Sequence, residues 1–336
     1  MNTLFCSMIK LNVLDQSPVI EGSNPARAIQ QTIELAKFTE SIGYYRYWVA
    51  EHHNSKSFAS ASPEILISAI ASQTNKIRIG SGGVLISHYS PIKIAEQFNM
   101  LQTLYPNRID LGIGRAPGGD ANIIKAMRTT NENAFTKTTE LINYLKKSSE
   151  NKPYGIVSAV PEGAHMPEVW ILGTSPDSAV YAAENGLPYT FGSFINDEHM
   201  LKCFQDYYQN FKPSQYLKEP YLNLALFVVC GETTEDAARM AKCSEYWLSQ
   251  TFLKGMNIPF PDTEKAAGYN FSFEEKILIE YRRKSAVIGD AQTVSKKLKD
   301  IVKKYAVHEL TIVTIVSDFE ERKKSYKLLF DEMSDD

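Results

Sequence analysis

Short runs of β-branched and aromatic residues alternate along the chain with longer segments whose apolar residues have helical spacing. Pro25–Ile42 shows the helical pattern most clearly, because Pro25 begins it and Gly43 follows its last residue. The alternation predicts eight strands: Ile9–Leu14, Tyr47–Ala50, Ile77–Gly80, Arg108–Ile113, Val169–Leu172, Tyr189–Gly192, Tyr221–Cys230 and His308–Val316.

The helical segments lie between these strands and after the last one. They are Pro25–Ile42, Pro63–Thr74, Pro91–Leu104, Asn133–Lys147, Asp177–Asn185, Asp197–Phe211, Thr234–Phe252, Phe273–Lys284, Ala291–Tyr305 and Glu320–Met333. Two other segments are interrupted by proline or glycine. We expect Tyr154–Val160 to form a surface hairpin or arm, and Lys254–Tyr269 to form a long loop or lid.

Eight strands separated by helices predict an α/β protein built as a closed (β/α)₈ TIM barrel. An open doubly wound sheet in a chain of this length usually has only about five to seven strands. No linker, low-complexity tract or short repeat divides the sequence. We therefore expect residues 1–336 to form a single domain, with an insertion or lid in its C-terminal half.

The composition excludes several functional classes. The 336 residues are 43% hydrophobic and carry a formal net charge of −3, so the basic excess of a nucleic-acid-binding protein is missing. No apolar run approaches the roughly 18 residues of a membrane span, and no secretory signal is recognisable. We expect a cytoplasmic protein with reduced thiols, because its cysteines lie at irregular spacings: Cys6, Cys203, Cys230 and Cys243.

Active sites of TIM barrels lie where the strands run into the following loops, and the second predicted strand ends there in Glu51-His52-His53. These residues could simply begin a solvated loop, or they could bind a metal ion. Side chains alternate between the two faces of a strand, so His52 and His53 should not both face one ion. Only His88 offers a further histidine nearby, and we expect no metal site.

The third and fourth strands are followed by glycine-rich segments. Gly82 and Gly83 would allow a sharp bend and close approach to a flat ligand, although a plain turn or bulge would also explain them. The segment around Gly114 lacks a dinucleotide motif, because Pro117 and a loop separate its glycines from any helix. Arg115 suits a phosphate or carboxylate, or else pairs with a nearby acidic side chain at the surface.

The fifth strand runs into Thr174-Ser175, and Ser178 follows at the start of the next predicted helix. Hydroxyl groups at this position commonly satisfy the free N–H groups of the helix, which explains many such sequences. The same arrangement also makes an anion site, because the helix dipole and exposed amides favour negative charge. With Arg115 nearby, a phosphate site is the better interpretation.

As an ordered set, these motifs resemble those of the luciferase-like flavin monooxygenases, in particular the non-luminescent bacterial branch. The matching segments are Leu14–Pro18, Tyr47–His53, Ile79–Val84, Pro91–Gln97, Arg108–Arg115 and Trp170–Ser175. Ser285–Asp290 is similar more loosely. Each motif has little specificity alone, whereas their shared order is specific.

The resemblance implies an FMN-dependent TIM-barrel enzyme. Such an enzyme takes reduced FMN from a separate flavin reductase, forms a C4a-peroxyflavin with O₂ and oxygenates a small organic substrate. The implied flavin-binding positions are Ser17, Gly82, Gly83, Arg115, Thr174, Ser175 and Ser178. Of these, Arg115, Ser175 and Ser178 would hold the phosphate, and a non-proline cis peptide would join Gly82 to Gly83. The resemblance also implies a homodimer.

The resemblance makes His52 the active-site histidine, with Glu51 beside it, and histidine can exchange a proton near neutral pH. Phe191, Tyr89 and Phe194 suggest an apolar chamber that would exclude water. Gly114 stands where the light-emitting catalytic subunit has a cysteine, so neither light emission nor an aldehyde substrate is implied. Two alternatives remain: a deazaflavin-dependent hydride-transfer enzyme on the same fold, and a non-catalytic flavin-binding protein.

Overall fold

The computed structural model describes residues 9–129, 132–146, 155, 157–163 and 165–334. Its strands are β1 (Lys10–Asp15), β2 (Arg46–Val49), β3 (Arg78–Leu85), β4 (Ile109–Gly114), β5 (Glu168–Gly173), β6 (Tyr189–Gly192), β7 (Leu222–Gly231), β8 (Val287–Asp290) and β9 (Glu309–Val313). Its helices are α1 (Pro25–Ile42), α2 (Pro63–Ala71), α3 (Pro91–Leu104), α4 (Ala121–Ala126), α5 (Ala134–Leu145), α6 (Pro176–Glu184), α7 (Met200–Asn210), α8 (Thr234–Lys254), α9 (Thr263–Gly268), α10 (Phe273–Arg283), α11 (Ala291–Tyr305) and α12 (Phe319–Ser334).

Eight of the strands form a closed parallel barrel. Their order is β1-β2-β3-β4-β5-β6-β7-β9, and β9 pairs back with β1, so the predicted (β/α)₈ architecture is confirmed. The strand β8 was missed by the sequence prediction. It pairs with Val228–Gly231, the part of β7 that extends beyond the pairing with β9, and therefore lies outside the barrel.

Two helices that follow strands show how local sequence determines where a helix begins. The helix α1 begins at Pro25 after the capping residue Asn24, and α6 begins at Pro176 after Ser175. Proline presets the backbone of a first helical turn, and the capping side chain accepts from a free N–H group. Gly43 ends α1 with φ 107°, a conformation that favours glycine.

A network of charged side chains lies at the end of the barrel where the strands begin. Arg46 Nε donates to Glu309 Oε2 at 2.8 Å, Nη1 to Asp110 Oδ2 at 2.7 Å, and Nη2 to Glu168 Oε1 at 2.8 Å. Burial opposes ionisation of Asp110, but the guanidinium groups of Arg46 and Arg78 hold the pKa of its carboxyl below the usual range. Because these groups begin the strands, they leave the other end for ligands.

Several predicted boundaries differ from the structure. The strand β3 continues through the glycine pair to Leu85, because a register shift against β4 between Ser81 and Val84 accommodates both glycines within the strand. The helix α4 was not expected. Residues 157–160 form no strand, whereas Tyr154, Ile156, Lys147 and residues 1–8, which include Cys6, lie outside the described residues. Within the described part of the chain, no helix is long and apolar enough to cross a membrane.

Candidate active site

Arg115 and Ser175 meet at the mouth of the barrel, where β4 and β5 end. Arg115 Nη2 donates to Ser175 Oγ at 2.6 Å, and the guanidinium lies 4.2 Å from the centre of the Phe135 ring. No ion pair joins Arg115 to an acidic side chain among the described residues, so the alternative of a surface pair finds no partner there. A cation beside a helix N-terminus is chemically suited to an anion.

Ser178 and Thr174 complete this turn. Ser178 is fully buried, and its Oγ donates to the Ser175 carbonyl oxygen at 2.6 Å and lies 3.2 Å from the Tyr189 hydroxyl oxygen. The Ser178 hydroxyl therefore stabilises the turn between β5 and α6 through these buried contacts. Thr174 is half-buried between Gly173 and Ser175. The structure thus brings together four of the predicted ligand-binding positions, of which Ser178 is fully buried whereas Arg115 and Ser175 are partly exposed.

The peptide bond between Gly82 and Gly83 is cis, in agreement with the resemblance. A Cβ atom at Gly82 would lie 2.5 Å from Leu14 Cδ1, and one at Gly83 would lie 2.7 Å from the Gly112 carbonyl oxygen. Both distances are shorter than real Cβ contacts. Close packing against the backbone of β4 therefore requires glycine at position 83, whereas a side chain at position 82 would require the Leu14 side chain to move.

Ser17 follows β1 with a φ of 51°, and it is fully buried. Its backbone N–H donates to Asp15 Oδ1 at 2.8 Å, and its hydroxyl oxygen accepts from Thr32 Oγ1 at 2.8 Å. Burial opposes ionisation of Asp15, but the Arg322 guanidinium and the Tyr47 hydroxyl hold the pKa of its carboxyl below the usual range. The Ser17 side chain thus belongs to the packing against α1, and a ligand role for it stays a prediction.

The Glu51 carboxylate joins the ends of β2 and β3. Its Oε1 accepts from the Tyr89 hydroxyl at 2.6 Å and lies 2.8 Å from His53 Nε2, while its Oε2 accepts from the Leu85 N–H at 3.0 Å. The Glu51 side chain is buried and does not line the apolar cavity next to His52. These contacts give Glu51 a positioning role, whereas its predicted catalytic role is not tested by them.

The other histidines of the mouth are held by hydrogen bonds. His53 is bonded to Glu51, and His88 makes hydrogen bonds to Thr129 Oγ1 at 2.7 Å and the Pro117 carbonyl oxygen at 2.8 Å. In the part of the chain that the structure describes, no three or more histidine, cysteine, aspartate or glutamate side chains are placed together to hold a metal ion.

His52 lines an apolar cavity of about 270 Å³ at the carboxyl end of the barrel strands, the end at which Arg115 and Ser175 also lie. Its ring stacks on Phe58 with the centroids 4.2 Å apart, and its buried Nδ1 has no hydrogen-bond partner among the described residues. Burial, with a smaller contribution from His53, lowers the pKa of His52 to about 4. The expected proton exchange near neutral pH does not agree with this lowered pKa, because burial disfavours the charged imidazolium. The imidazole is neutral at pH 7, and it can either donate or accept a hydrogen bond.

Residues from distant parts of the chain form the cavity walls, and sequence reasoning missed most of them. The aromatic lining residues are Phe58, Phe194, Phe227, Trp247, Phe252 and Phe260. Of the chamber residues predicted from the sequence, Phe194 lines the cavity. The prediction for Phe191 was wrong, since its fully buried ring packs against Phe204, with the centroids 5.7 Å apart. Tyr89 is engaged by Glu51 and does not line the cavity either.

The expected lid, Lys254–Tyr269, lies against the same mouth and contains the short helix α9. Phe260 N–H donates to the Val19 carbonyl oxygen at 2.9 Å, and Glu21 N–H donates to the Phe260 carbonyl oxygen at 2.7 Å. The Phe260 side chain is fully buried in the cavity wall. The segment is thus fastened to the loop after β1 and excludes water there, while gating by it stays a prediction.

The lowered pKa of His52 predicts a loss of stability in acid. The unfolded chain binds a proton at this residue near pH 6.5 and the folded chain only near pH 4, so the free energy of unfolding falls as the pH decreases between these values. We expect this residue to account for about 2 to 3 kcal/mol between pH 7.5 and 4.5. Urea unfolding of His52→Asn should show a correspondingly smaller acid loss, and His199→Ala, which removes an exposed histidine, serves as the control. Equal acid losses in wild type and His52→Asn would contradict the lowered pKa.

Comparison with known proteins identifies relatives over nearly the whole chain. The model of the luciferase-like monooxygenase family matches residues 9–309. Protein YceB of Bacillus subtilis is 41% identical over 96% of this chain and 98% of its own. The N-acetyl-S-alkylcysteine monooxygenase of the same organism is 33% identical over 96% of this chain and 98% of its own.

Solved structures agree with this assignment. Apo-MsnO8 is 33% identical, with a TM-score of 0.86 and 97% of both chains covered. Two structures with lower identity share the fold. The oxygenating constituent of 3,6-diketocamphane monooxygenase from Pseudomonas putida, in complex with FMN, has a TM-score of 0.71 at 18% identity and covers 97% of this chain and 98% of its own. An F420-dependent secondary alcohol dehydrogenase has a TM-score of 0.67 at 14% identity and covers 98% of this chain and 100% of its own. The chain belongs to the luciferase-like monooxygenase family, whose members are TIM-barrel flavoproteins.

Proposed function

We propose that this chain is the oxygenase of a two-component system, which uses reduced FMN and O₂ to oxygenate a small organic substrate. The observation that carries the proposal is that the Arg115–Ser175 pair and an apolar cavity lined by a neutral histidine, His52, both lie at the carboxyl end of the barrel strands. The first feature suits the phosphate of FMN, and the second suits chemistry that water would interrupt.

The residues of the mouth fit FMN. Arg115 offers charged N–H donors with no acidic partner among the described residues, and Ser175 adds a hydroxyl at the N-terminus of α6. The backbone at Gly82 and Gly83 carries no side chains, so a planar ring system can approach it closely. His52 has a buried ring nitrogen without a partner among the described residues, which is a polar group that a bound substrate beside the flavin would satisfy.

Bound reduced FMN would supply two electrons and two protons. With these, one atom of O₂ would enter the substrate and the other would form water. The protein binds the phosphate through Arg115 and Ser175, and the aromatic walls exclude water from the reacting groups. His52, which is neutral at pH 7, carries a proton on one ring nitrogen and would orient the substrate by a hydrogen bond.

Two relatives support the proposed reductase partner and suggest a first substrate class. The 3,6-diketocamphane monooxygenase has a separate oxygenating constituent, which supports delivery of reduced FMN by another protein. Another relative acts on N-acetyl-S-alkylcysteines, so thioethers are the first substrates to test. A homodimer remains our expectation for the assembly.

The phosphate site predicts a selective loss of FMN affinity in Arg115→Ala. Because a charge-assisted hydrogen bond contributes about 1.5 to 3 kcal/mol, we expect the Kd of FMN to rise by about 10- to 100-fold. The Kd of riboflavin, which lacks the phosphate, should change by less than about twofold. Fluorescence quenching of each flavin measures both values. Lys125→Ala, which removes an exposed cation from α4, is the control; unchanged FMN affinity in Arg115→Ala would move the phosphate site elsewhere.

Oxygenation itself is tested by isotope labelling. A panel of thioethers is incubated with the protein, an FMN reductase, NADH and ¹⁸O₂, and the products are analysed by mass spectrometry. We expect one ¹⁸O atom per oxygenated product. If reduced FMN were consumed with stoichiometric formation of H₂O₂ for every compound, a non-catalytic flavin-binding protein would be the better description. Turnover only with a reduced deazaflavin, without oxygen incorporation, would favour the hydride-transfer alternative.

A further inference from the structure

Two arginines on α10 reach the same apolar cavity, and their surroundings differ. Arg283 Nε donates to Glu245 Oε1 at 2.6 Å, so the charges of these two lining residues compensate each other. Arg282 donates through Nη1 to the Ile195 carbonyl oxygen at 2.6 Å. Among the described residues, no acidic side chain forms an ion pair with Arg282. This guanidinium is therefore an uncompensated positive charge at the cavity.

The walls around Arg282 are apolar. Its guanidinium carbon lies 5.7 Å from the centre of the Phe252 ring, and Leu248 and Ile279 also line the cavity. The remaining ionisable lining residue, His52, is neutral at pH 7. An occupant therefore meets one uncompensated cation together with a large hydrophobic surface.

We propose that the substrate of this cavity is an anionic amphiphile, whose carboxylate binds Arg282 and whose apolar part lies against the aromatic walls beside His52. The proposal rests on the proposed oxygenase function and names the substrate class of the same site. Arg282 uses one of its five N–H donors on Ile195, and the planar guanidinium retains donors for a carboxylate. Arg282 is half-buried and Phe252 is 61% exposed, so a carboxylate can reach the guanidinium from solvent while its apolar part enters the cavity.

A competing explanation gives Arg282 only a structural role. Its bond to Ile195 connects α10 to the loop after β6, and this contact alone could account for an arginine at the position. The two explanations differ in what they require of a ligand. A structural role affects charged and uncharged ligands equally, whereas a substrate-binding role affects only ligands that carry the anion.

A binding experiment separates them without turnover. The full chain is titrated by calorimetry with (hexylthio)acetate and with its methyl ester, with and without added FMN. In the wild type we expect the acid to bind at least about 10-fold more tightly than the ester, as one charge-assisted hydrogen bond implies. In Arg282→Gln the acid should lose about 10- to 100-fold in affinity, while the ester changes by less than about threefold. Arg282→Lys should recover part of the loss.

Lys284→Gln is the matched control, because it removes one positive charge at the end of α10 without touching the cavity lining. It should leave both affinities unchanged. Binding of the ester to Arg282→Gln shows that the variant is folded. The proposal is overturned if acid and ester bind the wild type equally, if neither binds, or if Arg282→Gln weakens both alike. Because no oxygenation is measured, these outcomes are distinct from failure of the ¹⁸O₂ experiment.

Discussion

We expect His52→Ala to lower product formation by about 10²- to 10⁴-fold, the range that positioned proton donors and acceptors contribute in enzymes. The imidazole lines the apolar cavity and makes no side-chain hydrogen bond among the described residues. Its lowered pKa keeps it neutral at pH 7, so its removal takes away a donor and acceptor and leaves no unpaired charge. Flavin affinity should therefore change by less than about twofold. Single-turnover kinetics with reduced FMN measure the loss directly.

Two further variants make this result specific. His199→Ala removes an exposed histidine and should leave product formation unchanged. His52→Gln keeps a polar side chain and should recover part of the activity if hydrogen bonding is the required property. Unchanged turnover in His52→Ala would remove His52 from the mechanism. A parallel loss of flavin affinity would instead indicate that the residue supports the binding site.

Replacing Arg46 by methionine should produce the largest loss of stability among the substitutions considered. The side chain is 2% exposed, and its partners Asp110 and Glu309 are 0% exposed. The variant leaves the buried Glu309 carboxylate without its guanidinium partner, while Asp110 keeps only Arg78, and breaking a buried ion pair in this way costs about 3 to 5 kcal/mol. We expect the free energy of unfolding to fall by that amount. Urea unfolding followed by fluorescence and circular dichroism measures it.

The exposed pair between Arg27 and Glu34 provides the matched control. The two side chains are joined at 3.1 Å but are 50% and 48% exposed, so solvent screens their attraction. Arg27→Met should therefore change the free energy of unfolding by less than about 1 kcal/mol. If Arg46→Met were as mild as this control, the charge network would not be the feature that stabilises the N-terminal end of the barrel.

The barrel was predictable because each of its strands has a local pattern that alternates with helices. The strand β8 has no such local strand pattern. It contains four residues, Val287–Asp290, between two helices, and only Val287 and Ile288 are β-branched. Its pairing depends on the length of β7, which extends past β9 and leaves an edge for β8. That edge is a tertiary feature, so no local sequence pattern indicates it.

The site was predictable as far as it lies at strand ends. Arg115, Ser175 and His52 lie one, two and three residues after the ends of their strands, and the TIM-barrel topology brings such residues to one mouth. Part of the cavity wall comes from α8, α10 and the segment between them, whose aromatic residues occupy helix and loop positions that no sequence pattern distinguishes. Phe191 was misplaced because side chains alternate along β6, and its ring faces the outer helix α7.

Equilibrium titration of the full chain with reduced flavins under anaerobic conditions tests the central claim most directly. We expect reduced FMN to bind at least about 10-fold more tightly than reduced riboflavin, because only FMN carries the phosphate for Arg115 and Ser175. A reduced deazaflavin should bind more weakly than reduced FMN. Equal affinity for reduced FMN and reduced riboflavin, or tight binding of the deazaflavin alone, would contradict the assignment of this mouth as a reduced-FMN site.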